Sequence, residues 1–150
     1  MHLWQKASTA QNQLILNHSQ ELQILITQAF QSKADEDPYL IHFALDLLKS
    51  LSLTNKEVFL AQLLGLCSNG KYAGRAREAI LSFPNDWLIE NIEREAEGTL
   101  IHDDFLDWVN VLSVFAQIDL NLGRRLAKRM ANHSDSELAV WGKEFIEDHA

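Results

Sequence analysis

The sequence predicts an all-α protein made of successive antiparallel helix pairs, arranged either as an α-solenoid or as a compact helical bundle. Three observations predict it. Apolar residues recur at steps of three and four through most of the 150 residues, the period that gives a helix one buried face. Glycine and proline are scarce, six and two, fewer than the turns of a sheet-rich fold of this size usually need. The gaps between periodic stretches are about two to six residues, which makes consecutive helices double back on one another.

Taken in order, the opening stretch Leu3 to Leu16 has no firm pattern, and the first helix is expected over Ser19 to Ser32, with Leu22, Leu25, Ile26, Ala29 and Phe30 on one side. Asp37 can cap the next helix, and Pro38 fits its first position, where a missing N–H is no loss. That helix carries Leu40, Ile41, Ala44, Leu47, Leu48 and Leu51. The acidic run Asp35 to Asp37 sits at its positive end, which accounts for the run. Thr54-Asn55-Lys56-Glu57 has the form of a capping box ahead of Phe59, Leu60, Leu63 and Leu64. Ser68-Asn69-Gly70 offers a stop through left-handed backbone. Ala76, Ala79, Ile80 and Phe83 continue the period until Pro84 ends it.

Asn85 or Asp86 is then expected to cap a helix through Glu97, with Gly98 just beyond its end. Phe105, Trp108, Val109, Leu112, Phe115 and Ile118 define the following helix, and Leu122, Leu126 and Met130 a shorter one. Ser134-Asp135-Ser136-Glu137 reads as a second capping box, opening a last helix with Leu138, Trp141, Phe145 and Ile146 inward.

Composition bounds what such a chain does. With 47% apolar and 23% charged residues, residues 1–150 are expected to form a single folded domain. Cys67, the one cysteine, excludes an internal disulfide, and its place on an apolar helix suits an inert buried thiol. Met1 to Ser8 lacks the pattern of a secretory signal, so the expected compartment is the cytoplasm. Apolar runs fall far short of the roughly 18 to 20 residues that cross a bilayer. The net charge of −8 repels phosphate backbones, which disfavours direct nucleic-acid binding.

That charge is concentrated. Asp86, Glu90, Glu93, Glu95, Glu97, Asp103, Asp104 and Asp107 fall within one stretch whose only basic residue is Arg94. Asp86, Glu90, Glu93 and Glu97 lie within roughly 40° of a common direction on a helix, while Leu88, Ile89, Ile92 and Ala96 occupy another sector. They should therefore face solvent, either as a solvated face or as a surface that attracts a cationic partner. Asp103, Asp104 and Asp107 extend the cluster, although near a helix start they also complement its dipole. Trp87 stands beside the stripe, either as an exposed anchor or stapled against Phe83 or Pro84. Arg124, Arg125, Lys128 and Arg129 sit near a helix C-terminus, where their charge suits the dipole; pairing with the acidic helix is the alternative.

No glycine-rich phosphate loop and no activated-nucleophile motif is present, so no enzymatic activity and no cofactor are expected. His102-Asp103 resembles the paired ligands of metal-dependent HD phosphohydrolases, and His42 with Asp46 could form a second pair. That reading, a metal-dependent phosphohydrolase, stands as a third alternative behind two protein-binding ones. An exposed histidine beside capping acids is the plainer account, and no metal site is assigned.

Helix pairs follow one another at intervals of roughly 30 to 35 residues, and this layout from Asp37 to Ala150, closing with the turn Asn132-His133-Ser134-Asp135-Ser136-Glu137 into Trp141, resembles HEAT-like repeats. The arginine that such repeats often place in their second helix is missing near Val140. Ser82-Phe83-Pro84-Asn85-Asp86-Trp87 in turn resembles a helix start in one family of helical immunity proteins from contact-dependent growth-inhibition systems. That resemblance implies a toxin domain as partner, often a basic nuclease, held through Asp86, Trp87, Glu90, Glu93, Glu97, Asp103, Asp104 and Asp107. The alternative is a HEAT-like scaffold or adaptor that binds another protein through an apolar groove. Oligomeric state is not encoded in any pattern found.

Overall fold

A computed structural model describes residues 3, 5, 6, 9, 18–31 and 38–150. Among these residues every regular element is helical, in agreement with the all-α expectation. Their contacts gather into two compact units, Met1–Phe59 and Leu60–Ala150, where the composition suggested one domain. Most of the Leu3–Leu16 stretch, and the expected cap at Asp37 with its acidic run, lie outside the described residues.

In the first unit, α1 (Ser19–Gln31) packs on α2 (Pro38–Leu48). Pro38 opens α2, where its fixed φ is pre-set for a helix. Ile41, Ala44 and Leu48 are buried as expected, together with Leu45, while Leu40, expected inward, is exposed. On α1 only Ile26 and Ala29 are buried, and Leu25, expected inward, is exposed. The Thr54–Glu57 capping box does not form. Ser52 occupies the N-cap of the short α3 (Leu53–Lys56) without a side-chain bond, and the chain tightens into a 3-10 turn over Glu57–Phe59. Two contacts fix this corner: the Gln23 side-chain amide donates to the Asn55 carbonyl at 2.6 Å, and the Phe30 and Phe59 rings meet edge to face.

The second unit starts at α4 (Leu60–Leu66), which buries Leu60, Leu63 and Leu64. No described glycine has positive φ, so the stop after α4 is not the expected left-handed cap. The Asn69 Oδ1 accepts from the Lys71 N–H instead, an Asx turn that does the same work. α5 (Ala73–Leu81) ends before Pro84, which becomes the N-cap of α6 (Asn85–Leu100). Gly98 lies inside α6 rather than beyond it, because the chain stays helical until Leu100 and Ile101.

Asp104 caps α7 (Phe105–Ile118) by accepting from the Leu106 and Asp107 amides. A single extended residue, Asp119, separates α7 from α8 (Leu120–Ala131) and caps the latter. For α9 (Ser136–Asp148) the cap is Asp135, accepting from Glu137 and Leu138, and not the Ser134 of the expected box. A carboxylate one residue later satisfies the same orphan amides and adds favourable charge at the helix start.

α4 packs on α5, α6 on α7, α7 on α8 and α8 on α9, and α4 also meets α6 as α7 meets α9. Side chains link α5 to α7 and α6 to α8. The helices α4, α6 and α8 thus form one row, and α5, α7 and α9 the other. The tightest crossing is α8 on α9, where a β-carbon at Gly142 would lie 2.4 Å from the Ala127 carbonyl oxygen.

Candidate functional site

The acidic helix α6 turns Leu88, Ile92, Ala96 and Leu100 into the core, four residues at steps of four. Asp86, Glu90, Glu93 and Glu97 lie about 110° around the helix from that buried line, on its flank. Glu93 and Glu97, however, do not face solvent alone. Arg125 of α8 donates to Glu93 through Nη2 at 2.6 Å and Nε at 3.2 Å. One turn on, Arg129 donates to Glu97 at 2.6 and 3.3 Å. Each partner is 32 residues downstream, so the spacing between equivalent helices reappears as a pair of ionic rungs.

The basic cluster is the counterpart of the stripe and not merely a dipole complement. The Glu93 carboxylate holds the Arg125 guanidinium more firmly protonated than usual, through their hydrogen bond. Arg129 also lies over the Trp108 ring at 5.3 Å. Arg124 turns elsewhere and donates to the His149 carbonyl at 2.7 Å.

The remaining acids divide by environment. Asp86 and Glu90 are exposed. Asp103, the one described non-glycine residue with positive φ, 51°, accepts from His133 Nε2 at 3.0 Å. His133 Nδ1 accepts the Asp135 amide, which leaves the ring proton on Nε2. This hydrogen bond holds the Asp103 carboxyl below the usual carboxylate range. Asp104 is the α7 cap, and Asp107 accepts from the Ser68 hydroxyl. Trp87 is half-buried and stacked on Phe83, ring centres 5.6 Å apart. The staple alternative describes it.

The metal alternative finds no cluster: among the described residues no three His, Cys, Asp or Glu side chains are placed to hold an ion. Asp46 pairs with Lys49, His102 is exposed and Asp103 is taken by His133. Cys67 is buried, and burial pushes its thiol up to about 11.

A second surface lies on the other row of helices; the sequence raised a groove as an alternative without placing it. The α5, α7 and α9 row bears an open groove of about 490 Å³ whose lining includes Arg77, Val109, Asn110, Ala116, Gln117, Trp141 and Phe145. Trp141 also walls a neighbouring concavity with Ser136, Glu137 and Val140. Its indole, expected in the core, is 44% exposed. The reason is Gly142: it marks the side of α9 that comes closest to α8, and Trp141, about 100° away around the helix, turns out of that contact onto the Phe105 ring. Gly142 beside Trp141 was the available signal.

Comparison of the chain with family models, curated proteins and solved structures finds no match. Among the described residues, no helix is long and apolar enough to cross a membrane.

Proposed function

We propose that this chain is a non-catalytic protein-binding module that engages its partner through the groove of α5, α7 and α9. The observation that carries the reading is Trp141, a large indole left 44% exposed on the wall of an apolar concavity. Keeping that surface in water is unfavourable at about 25 cal/mol per Å². A partner that covers it recovers this free energy, and tryptophan is among the side chains that most often dominate binding. The role attached to the binding is that of an immunity protein neutralising a toxin domain. This role rests on the Ser82–Trp87 resemblance.

A second reading keeps the contact on α6. Asp86 and Glu90 present exposed carboxylates one turn apart, which supports a cationic, nuclease-type partner. The Glu93 and Glu97 pairs weaken this reading, because a partner's cations would have to compete with Arg125 and Arg129.

Site-specific photo-crosslinking in the source cells tests both. A benzophenone side chain at Gln117, on the groove, is expected to capture one polypeptide, while the same group at Glu90 captures none. Capture from Glu90 alone would move the contact to α6. No protein adduct from either position would overturn the binding-module reading.

A further inference from the structure

The groove carries one full charge among its lining residues, Arg77, and that charge has no carboxylate partner among the described residues. Arg77 Nη1 donates to Ser113 Oγ at 2.8 Å and Nη2 to Asn110 Oδ1 at 3.1 Å. Both acceptors are neutral, so they orient the fork without cancelling its charge. Cys67 is close enough to feel the guanidinium, yet its buried thiol stays neutral. Arg125 and Arg129 are different, since each is already matched by a glutamate. The groove therefore combines an oriented, half-buried, uncompensated cation with an apolar wall of Trp141 and Phe145.

Resting on the groove reading above, we infer that the groove takes a segment of a partner protein in which an aspartate or glutamate lies within a residue or two of an aromatic or large aliphatic side chain. The carboxylate meets Arg77 and the apolar side chain covers Trp141 and Phe145. Charge complementarity fixes the sign: a second cation would be repelled from the groove, and no carboxylate lines it to attract one. Openness fixes the kind of occupant. Trp141 and Gln117 are exposed, so a small molecule would leave much of its surface in water, whereas a protein segment brings its own covering wall. A polyphosphate is disfavoured by one cation set in a chain of net charge −8. The contacting segment is thus opposite in sign to one drawn by the α6 carboxylates.

Random-peptide phage display on the whole chain, followed by fluorescence polarisation of the selected peptides, tests this. The selected peptides are expected to share an acidic residue beside an aromatic or aliphatic one. Replacing that acid by its amide should weaken binding roughly tenfold or more. Gln117→Glu, an exposed change that disturbs no internal bond, should weaken the same peptides, and Gln117→Lys should strengthen them. Arg77→Gln should abolish the discrimination between acid and amide while Arg77→Lys retains part of it; should these two fail to fold, the Gln117 pair decides. Peptides selected without a carboxylate, or binding indifferent to Gln117→Glu, would overturn the inference, as would micromolar binding of free indole-3-propionate with no peptide selected. A polypeptide captured from Gln117 whose binding ignores its own acids removes this inference and leaves the groove reading standing.

Discussion

Gly142 and Gly98 show how differently one residue type is used within a single unit. A β-carbon at Gly142 would stand 2.4 Å from the Ala127 carbonyl oxygen and 2.5 Å from the Ala131 nitrogen. These are backbone atoms of α8 that cannot step aside without moving the helix. Gly142→Ala is expected to cost about 1–3 kcal/mol by overpacking, even after the gain of about 1 kcal/mol in helix propensity. Gly98, inside α6 with nothing near its missing β-carbon, should respond in the opposite direction, Gly98→Ala stabilising by up to about 1 kcal/mol. Urea denaturation midpoints of the two variants check both signs. Cys67 gives a chemical test of burial. With its thiol pushed up to about 11, almost none is thiolate at pH 8, so alkylation by iodoacetamide should be slow in the native protein and fast in denaturant.

At the scale of elements, α6 and α8 are tied on their outer sides by two ionic rungs, Glu93 to Arg125 and Glu97 to Arg129, over a core of Ile92, Ala96, Leu126 and Met130. The four side chains are about half exposed, so solvent screens the charges and each pair should contribute no more than about 1 kcal/mol. Double-mutant cycles on Glu97 and Arg129 are expected to return a coupling of a few tenths to 1 kcal/mol that shrinks in about 1 M salt. The exchanged pair Glu97→Arg with Arg129→Glu should recover most of the stability lost in either single reversal. A coupling near zero would leave the rungs as bystanders to apolar packing. The acidic stripe was visible in the sequence because helical period puts its members on one face. Its neutralisation was not, since nothing in the local spacing says which of four clustered cations reaches across to another helix.

For the whole molecule, the two units differ in how much their helices bury. α7 hides Trp108, Val111, Leu112, Val114, Phe115 and Ile118, whereas α1 buries only Ile26 and Ala29 and leaves Ile24 and Leu25 exposed. Local opening of α1 therefore exposes less apolar surface, and its amides should exchange with solvent deuterium well before those of α7 under native conditions. Equal protection of α1 and α7 would mean that both units open only in one global event.

The sequence by itself determined that the chain is helical, where the buried faces of α4 to α8 run, and which helix carries the acids, because each depends on residues close together along the chain. Caps were legible as regions, yet Asp104 and Asp135 were selected only when the surrounding turns were built. Tertiary structure alone decided the charge pairing at Glu93 and Glu97, the exposure of Trp141 and the meeting of Arg77 with Ser113 and Asn110. These depend on the crossing of helices some 30 residues apart, and close approach at one glycine sets which side of α9 faces inward. A helical period predicts that a face exists; only packing decides what covers it.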